Sequence, residues 1–239
     1  MSLDTYHVPL YIRFARWILR PTIRGLLLLL GRVEITGMAN IPRDGPYLIA
    51  INHVSLFEAP FILSFWPVAP EAAGASDIWH RPGQSILVRL YAGIPVHRGE
   101  YDRKVIDKML SALRSGRPLL IAPEGTRSHT PGMRRAHPGV AYIMDRARVP
   151  VLPVGIVGTT DDFLKRALRG ERPLLEMHIG KSLELPPISG SAEKRRIARY
   201  NNADSVMAHI ATLLPPEYRG VYADHPFLRT EATGGDRPA

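Results

Sequence analysis

Cysteine is absent from this chain of 239 residues. Its absence excludes disulfide bonds, a cysteine nucleophile and a thiolate metal site, and it permits a reducing compartment. The sequence also lacks a phosphate-binding P-loop, a Gly-x-Ser-x-Gly elbow and a His-Glu-x-x-His motif, and its histidines show no tight metal-ligand spacing. These absences argue against a nucleoside triphosphatase, a serine hydrolase and a zinc hydrolase, and we expect no bound metal and no cofactor.

Long apolar runs are also missing near the N-terminus. The leucines of residues 26–30 follow Arg20, Pro21 and Arg24, whereas a transmembrane helix needs roughly 20 apolar residues in succession. No small-residue cleavage site follows these leucines, as a secretory signal would require. The sequence therefore predicts neither a spanning helix nor a cleaved signal.

Acidic residues are in the minority, because 22 Asp and Glu stand against 31 Lys and Arg and leave a net charge of +9. A basic chain favours an anionic partner. Arginines at helical spacing within residues 1–32 predict an amphipathic helical segment that lies on an anionic membrane, with the arginines towards lipid. An ordinary surface helix packed on the domain is the alternative. The basic stripe is Arg13, Arg16, Arg20 and Arg24, and the opposite apolar face is Leu10, Tyr11, Phe14, Trp17 and Ile18.

Short β-branched runs alternate with amphipathic stretches along the rest of the chain. This alternation predicts an α/β fold with a mixed, largely parallel sheet flanked by helices. We expect one domain over residues 33–229 and a flexible tail over residues 230–239. The predicted strands are Val33–Thr36, Tyr47–Ile51, Ile94–Val96, Leu119–Ala122, Val151–Val157 and Leu175–Ile179. The predicted helices are Leu56–Phe65, Gln84–Tyr91, Asp102–Ser115, Pro138–Arg148 and Glu193–Leu213.

A histidine and an acid follow the second predicted strand. In the stretch INHVSLFEAP, His53 comes just after Ile51 and Glu58 comes five positions later. His53 could act as a base that Glu58 holds in place. Ser55 and Glu58 also have the spacing of a helix capping box, so a purely structural role for the acid stays open.

Two further predicted strands also end next to charged residues. Arg98 follows the strand at residues 94–96, and the segment PEGTRS occupies residues 123–128 after the strand that begins at Leu119. Ligands of α/β folds usually bind at the carboxyl ends of the strands. A glycine turn with a threonine hydroxyl and an arginine suits a phosphate group. These segments could therefore meet His53 at one edge of the sheet.

In this order the segments resemble the four sequence blocks of the glycerolipid acyltransferases, specifically the lysophosphatidic acid acyltransferases. The blocks are Asn52 to Glu58, Ile94 to Gly99, Pro123 to Ser128 and Val149 to Thr159, with further similarity over residues 35–50 and 137–143. The Pro-Glu-Gly-Thr-Arg-Ser block is the most specific part. The resemblance covers roughly residues 33–160.

The resemblance implies that His53 is the base for the free hydroxyl of the acceptor and that Glu58 is its acid partner. The hydroxyl oxygen would attack an acyl thioester directly, without an acyl-enzyme. Residues implied in binding the acceptor's phosphate block are Arg98, Glu124, Gly125, Thr126 and Arg127, with Glu124 positioning its neighbours. Residues 149–154 would line an apolar wall, and a buried core strand is an equally good account of them.

The substrates expected from the resemblance are a lysophospholipid, with lysophosphatidic acid first, and acyl-CoA or acyl carrier protein as the donor. The expected location is peripheral, at the cytoplasmic face of a membrane. Alternatives are another lipid acceptor, such as a glycolipid or ornithine lipid, and a non-catalytic basic protein that binds membrane or nucleic acid. We expect no nucleic acid partner, because the predicted strands lack the exposed aromatic residues that RNA recognition uses.

Two positions depart from the family's pattern. The acid is Glu58, where members that make phospholipids usually have aspartate and relatives that acylate lipid A tolerate either. The segment ASDIWHRPG at residues 75–83 lacks the lysine often found near this point, so contacts to the acyl donor are not assigned there.

Overall fold

The computed structural model describes residues 6–97 and 102–228. Its strands are β1 (Arg32–Thr36), β2 (Leu48–Ile51), β3 (Glu71–Ala75), β4 (Ile94–Val96), β5 (Leu119–Ile121), β6 (Val151–Val157) and β7 (Leu174–Ile179). Within the described residues they form one seven-stranded sheet in the order β1-β7-β6-β2-β5-β3-β4. Neighbouring strands run parallel except β6 and β7, which are antiparallel. The predicted mixed, largely parallel sheet is confirmed.

Helices cover both faces of this sheet. They are α1 (Leu10–Leu30), α2 (Glu58–Phe65), α3 (Gln84–Tyr91), α4 (Arg103–Arg114), α5 (Pro138–Ala147), α6 (Phe163–Leu168) and α7 (Ala192–Thr212). Successive side chains of a strand point to opposite faces, and β2 shows this directly. Leu48 and Ala50 belong to the core that α4, α5 and α7 cover, whereas Ile49 and Ile51 belong to the core that α1, α2 and α6 cover.

Two elements were not predicted from the sequence. Strand β3 reads EAAGA and contains no β-branched or aromatic residue, so its strand propensity is low. It forms because β5 on one side and β4 on the other supply backbone partners. Helix α6 has only six residues, which is too short for an apolar periodicity to emerge.

The N-terminal segment forms one continuous helix, α1, with Pro21 inside it. The prediction that its four arginines face lipid is wrong for two of them. Arg16 is only 3% exposed and forms an ion pair with Glu71 at 2.6 Å. Arg20 donates hydrogen bonds to the backbone carbonyls of Leu63 and Trp66. Burial of a charge is tolerated only where partners are supplied, and the domain supplies them.

Arg16 belongs to a group of residues that we call the ionic cluster: Tyr6, Arg16, Glu71 and Arg117. Arg16 binds Glu71 through both terminal nitrogens, at 2.8 and 2.6 Å. Arg117 donates from Nε to Glu71 Oε1 at 2.6 Å, and the Tyr6 hydroxyl donates to Glu71 Oε2 at 2.7 Å. The cluster joins α1 to the first residue of β3.

The opposite face of α1 is the apolar one, and it is uncovered. Leu10, Tyr11 and Trp17 are each more than 70% exposed, and Phe14 and Ile18 are exposed beside them. Phe14 and Trp17 stack with ring centroids 5.8 Å apart. In the described part of the chain, no helix combines the length and the apolar character that a bilayer crossing requires.

Candidate active site

The site begins where β2 leaves the sheet. The side chain of Asn52 donates to the Ile156 carbonyl at 2.9 Å and accepts from the Ile156 amide at 2.7 Å. This pair of bonds takes the place of backbone pairing between β2 and β6 for one more residue. Asn52 therefore fixes the position from which His53 projects at the carboxyl edge of the sheet.

His53 and Glu58 form a hydrogen-bonded pair. Nδ1 of His53 lies 2.9 Å from Oε2 of Glu58. Glu58 is the first residue of α2 and is fully buried, whereas the side chain of His53 stays 21% exposed. A carboxylate that accepts from Nδ1 holds the imidazole proton on that nitrogen. The opposite nitrogen, Nε2, is then the one that can accept a proton from a substrate.

Glu58 is itself held by two groups besides His53. The Ser55 amide donates to both carboxylate oxygens, at 2.9 and 3.1 Å, and the Thr159 hydroxyl donates to Oε1 at 2.7 Å. The bond from the Ser55 amide is the glutamate half of a capping box. The serine half is not formed, because the Ser55 hydroxyl donates to the Thr159 carbonyl and accepts from the Phe57 amide. Glu58 thus binds a backbone amide at the start of α2 and orients His53 with the same carboxylate.

A second buried carboxylate, Glu124, ties the neighbouring loop to His53. Its oxygens accept from the amides of His53 and Arg134, both at 2.8 Å. Burial, opposed by the two amides and assisted by the nearby charge of Glu58, raises the pKa of Glu124 to about 7. Glu124 therefore contacts the backbone at His53 and Arg134, and its positioning role stays a prediction.

The loop after Glu124 is fixed by backbone contacts. The Ser128 and His129 amides donate to the carbonyls of His53 and Val54, at 2.9 and 3.0 Å. Gly125 adopts φ = +69°, a conformation in which a side chain is strained. A Cβ on Gly125 would also lie 3.1 Å from the Cβ of His137. Glycine is therefore needed at position 125 for the loop to adopt this turn beside His53.

His53 opens on a cavity of about 640 Å³. Polar residues surround His53 at the carboxyl edge of the sheet, and apolar residues of β3, α4 and α5 form most of the remaining wall. The polar lining includes His53, Glu124, Thr126 and His137, and the apolar lining includes Ala73, Val105, Ile106, Met109, Val140 and Ala141. Arg196, Arg199 and Tyr200 of α7 also reach the cavity. The cavity can take a long apolar group whose reactive end lies at His53.

The structure brings five of the predicted site residues together: His53, Glu58, Glu124, Gly125 and Thr126. Arg127 comes next in the chain and is half-buried, but it does not line the cavity. Arg98 lies outside the described residues. Of the two roles left open for residues 149–154, the structure supports the buried core strand, because β6 lies inside the sheet between β2 and β7 and none of these residues lines this cavity.

Two parts of the site were missed by sequence reasoning. In the sequence, Thr159 is only the last residue of the fourth block. Its position two residues after β6, like that of His53 two residues after β2, is the signal that could have found it. The cavity wall of residues 73–75 comes from β3, which the sequence did not predict as a strand. Its small side chains leave room for a substrate, and only their position in the sheet shows this.

These features define a class of protein. A histidine that is hydrogen-bonded to a buried acid, at the carboxyl edge of a mostly parallel sheet and beside an apolar cavity, is the arrangement with which an enzyme can activate a hydroxyl or water. The sequence model of the family described as Acyltransferase matches residues 32–157, which is more than half of the chain. The chain belongs to the acyltransferase family, and the prediction made from its motifs is confirmed.

Related proteins agree with this assignment. A lyso-ornithine lipid O-acyltransferase of Pseudomonas aeruginosa is 28% identical, over 88% of this chain and 84% of the relative. A 1-acyl-sn-glycerol-3-phosphate acyltransferase of Borreliella burgdorferi is 24% identical, over 66% and 64% of the two chains. The crystal structure of PlsC, the 1-acyl-sn-glycerophosphate (LPA) acyltransferase of Thermotoga maritima, matches with a TM-score of 0.58 at 23% identity, over 82% of this chain and 79% of that one. The structural match shows that the fold is shared.

Proposed function

We propose that the protein transfers a fatty acyl group from a thioester donor, acyl-CoA or acyl carrier protein, to the free hydroxyl of a lysophospholipid. The observation that carries the proposal is the His53–Glu58 pair, 2.9 Å apart, at the polar end of a largely apolar cavity of about 640 Å³. An acyl chain needs such an apolar cavity, and the attacking hydroxyl needs the base.

In the proposed reaction, Nε2 of His53 takes the proton of the acceptor's hydroxyl while that oxygen attacks the thioester carbonyl. A carbon–oxygen ester bond forms and the carbon–sulfur bond breaks. The departing thiolate then takes the proton from His53, so the histidine is regenerated and no net charge is left in the site. Glu58 stabilises the positively charged imidazole between these two steps.

Lysophosphatidic acid is the first acceptor proposed, with phosphatidic acid as the product. It is supported by the glycine turn at Gly125, the Thr126 hydroxyl at the cavity and the adjacent Arg127, which together suit a phosphate group. Lyso-ornithine lipid is a second acceptor, and the lyso-ornithine lipid O-acyltransferase that aligns with 88% of this chain favours it. Arginine binds the carboxylate of that head group as readily as a phosphate.

We also propose that the apolar face of α1 (Leu10, Tyr11, Phe14, Trp17 and Ile18) lies in the membrane interface. These side chains are exposed and occupy one side of the helix, and an indole is favoured at the level of the head groups. Arg13 and Arg24 are exposed beside this face, where long cationic side chains reach anionic head groups. Attachment at the cytoplasmic face, expected from the sequence, stays a prediction.

The test uses purified full-length protein with acyl-CoA and acyl carrier protein donors and a panel of lysolipids that includes both proposed acceptors. Thiol release and mass spectrometry of the lipid product give the rate and the identity of the product. We expect an ester product with at least one acceptor and none with His53→Ala. No ester with any acceptor and either donor would contradict the proposal, and the better acceptor would decide between the two head groups.

A further inference from the structure

A second apolar surface lies on α3. Ile86, Leu87 and Leu90 are 60%, 39% and 43% exposed, and their spacing of one and four residues puts them on one side of the helix. The other side packs inward through Tyr91, which is buried. Scattered exposed apolar residues need no explanation, but three on two turns of one short helix form a contiguous patch.

The patch is joined rigidly to α1. Nε of Arg16 donates to the carbonyl of Tyr91, the last residue of α3, at 2.9 Å. The guanidinium of Arg16 also lies 4.4 Å from the centre of the Tyr91 ring. Arg16 is in turn held by Glu71 through the ionic cluster. The α3 patch and the apolar face of α1 therefore belong to one fixed unit.

The charges around the patch are mostly positive. Arg89 is exposed on α3, and Arg81 lies just before the helix. Asp77 is the only acidic residue in residues 76–91, and it is neutralised by an ion pair with Arg81. Because Arg81 is paired with Asp77, the positive charge left beside the patch is that of Arg89. An apolar patch bordered by an exposed cation matches the boundary between acyl chains and anionic head groups. It fits a neutral or basic protein surface less well.

The α3 patch also lies close to the cavity wall. Trp79, in the turn before α3, packs against the backbone at Gly74 and Gly93, where an added Cβ would lie 3.8 and 3.3 Å from its ring. Gly74 lines the cavity. Trp79 therefore links the segment that contains α3 to the segment that forms this wall.

We propose that Ile86, Leu87 and Leu90 insert into the membrane interface as a second contact beside α1. The proposal rests on the proposed function, because that function requires a lipid surface. A single interfacial helix leaves the protein free to rotate about the helix axis, whereas a second contact beside that axis fixes the orientation. Together the two contacts set how the cavity faces the bilayer from which the acceptor comes.

The absence of cysteine makes a direct test possible. Leu87→Cys gives a single thiol for an environment-sensitive fluorophore, and Ile197→Cys, at a 50% exposed position on α7, is the matched control. We expect a blue shift and quenching by a lipid-phase quencher for the label at position 87 when phosphatidylglycerol-containing vesicles are added. The label at position 197 should not respond. If the two labels behave alike on vesicles that retain the protein, the proposal is overturned.

A second experiment measures the contribution of the patch to binding. The double variant Ile86→Asn/Leu90→Asn should partition to anionic vesicles at least about tenfold more weakly than the parent, because two aliphatic side chains no longer leave water. Ile197→Asn/Val221→Asn is the control, since both positions are exposed and belong to α7 and to residues 220–222 instead of α1 or α3. The ratio of turnover on vesicle-presented lysolipid to turnover on dispersed short-chain lysolipid should fall similarly.

The outcomes separate the two proposals. A parent that binds vesicles through α3 but transfers no acyl group to any acceptor would refute the proposed function and leave the α3 contact standing. Parental vesicle binding by the double variant would refute the α3 contact alone. If the parent is dimeric by light scattering and the double variant is monomeric with unchanged vesicle binding, the patch binds a second copy of the chain and the membrane proposal is overturned.

Discussion

Buried carboxylates lie both at the amino edge of the sheet, where its parallel strands begin, and at the carboxyl edge, where they end. The groups that bind these carboxylates differ between the two edges. Glu71 lies at the amino end of β3, whereas Glu58 and Glu124 follow the carboxyl ends of β2 and β5. All three are at most 4% exposed. Each carboxylate therefore needs partners, and the kind of partner differs between the edges.

At the amino edge, the partners are cations. Burial alone would raise the pKa of Glu71, but the hydrogen bonds and charge of Arg16, with Tyr6 and Arg117, hold it below its usual value. In the ionic cluster, the carboxylate of Glu71 and the two guanidinium groups therefore stay charged over a wide pH range. The cluster fastens α1 to the domain and has no group free to exchange a proton with a substrate.

At the carboxyl edge, the partners are amides, a hydroxyl and an imidazole. Within residues 6–97 and 102–228, no lysine or arginine side chain forms an ion pair with Glu58 or Glu124. Burial accordingly raises the pKa of Glu124 to about 7. The same residue type thus serves as a permanent anchor where cations surround it, and as part of the proposed proton-transfer site where neutral donors surround it.

The largest expected effect is at the carboxyl edge. His53→Ala removes the proposed base, and general base catalysis is worth about 100-fold to 10,000-fold in rate. The fold should persist, because His53 follows β2 and is partly exposed. Turnover and circular dichroism of the purified variant check this. A folded variant that keeps more than about a tenth of the parental rate would remove His53 from the mechanism.

At the amino edge we expect an effect on stability and not on chemistry. Glu71→Gln leaves Arg16 buried without its anion, which typically costs about 3 to 5 kcal/mol. The double variant Arg16→Met/Glu71→Leu should recover most of this loss. Denaturant unfolding measures both, and turnover per folded molecule should stay near the parental value. A loss below about 1 kcal/mol would mean that the two edges do not differ in this way.

The variant Glu58→Gln distinguishes two roles of Glu58, the orientation of His53 and the capping of α2. Glutamine can still accept from the Ser55 amide and the Thr159 hydroxyl through its oxygen, but its amide would face Nδ1 of His53. The imidazole would then carry its proton on Nε2, where it cannot act as a base. We expect turnover to fall at least about 100-fold, as neutralising the orienting acid does in serine proteases, with stability within about 1 kcal/mol.

Glu58→Asp is the matched variant for this experiment, because it keeps the charge and restores the acid usual among the phospholipid-making members that the sequence resembles. It should stay active. Near-parental turnover of Glu58→Gln would show that the acid serves only as a helix cap.

The two edges should also differ in their response to pH. The pKa of Glu124 is raised in the folded state, so between about pH 4.5 and 7 the unfolded chain loses this proton while the folded chain keeps it. Its contribution to stability therefore falls by roughly 3 kcal/mol as pH rises through this window, and then levels off. The contribution of Glu71 depends on pH in the opposite direction. Its pKa is lowered in the folded state, so its stabilisation is lost only as the pH falls into the acid range.

Unfolding free energies of the parent and of Glu124→Gln, measured at intervals across this window, isolate the Glu124 contribution. The difference between the two proteins should change with pH in the stated direction. A difference that does not vary between pH 4.5 and 7 would show that Glu124 is ionised throughout, and the contrast between the edges would disappear.

The smallest expected effect concerns substrate selection. Arg127→Lys keeps the charge but loses the planar fork that binds phosphate in two places. We expect the KM for lysophosphatidic acid to rise about threefold to tenfold while the KM for the thioester changes little. An equal rise in both constants would argue that Arg127 is structural. Steady-state kinetics with each substrate varied in turn gives the comparison.

Much of the carboxyl edge could be predicted from the sequence, because its residues follow strands that have strong local signals. Strand β2 is a buried aliphatic run, and a histidine just after such a run stands at the carboxyl edge of the sheet. The same reasoning, applied to the strand that begins at Leu119, predicted that Glu124 and Thr126 lie at the carboxyl edge. It did not find the wall from β3, since EAAGA carries no strand signal and becomes a strand only through backbone pairing with β5 and β4.

The amino edge was predicted least well, and the physical reason lies in pairing between distant parts of the chain. The sequence by itself determined that α1 has an arginine side and an apolar side, since helical geometry fixes which residues share a face. Which side turns inward was decided by tertiary structure, because Glu71 and the free carbonyls of Leu63 and Trp66 complement the buried Arg16 and Arg20. No local pattern of residues 1–32 records those partners, so two of the four arginines predicted to meet lipid bind the domain, and the apolar side is left exposed.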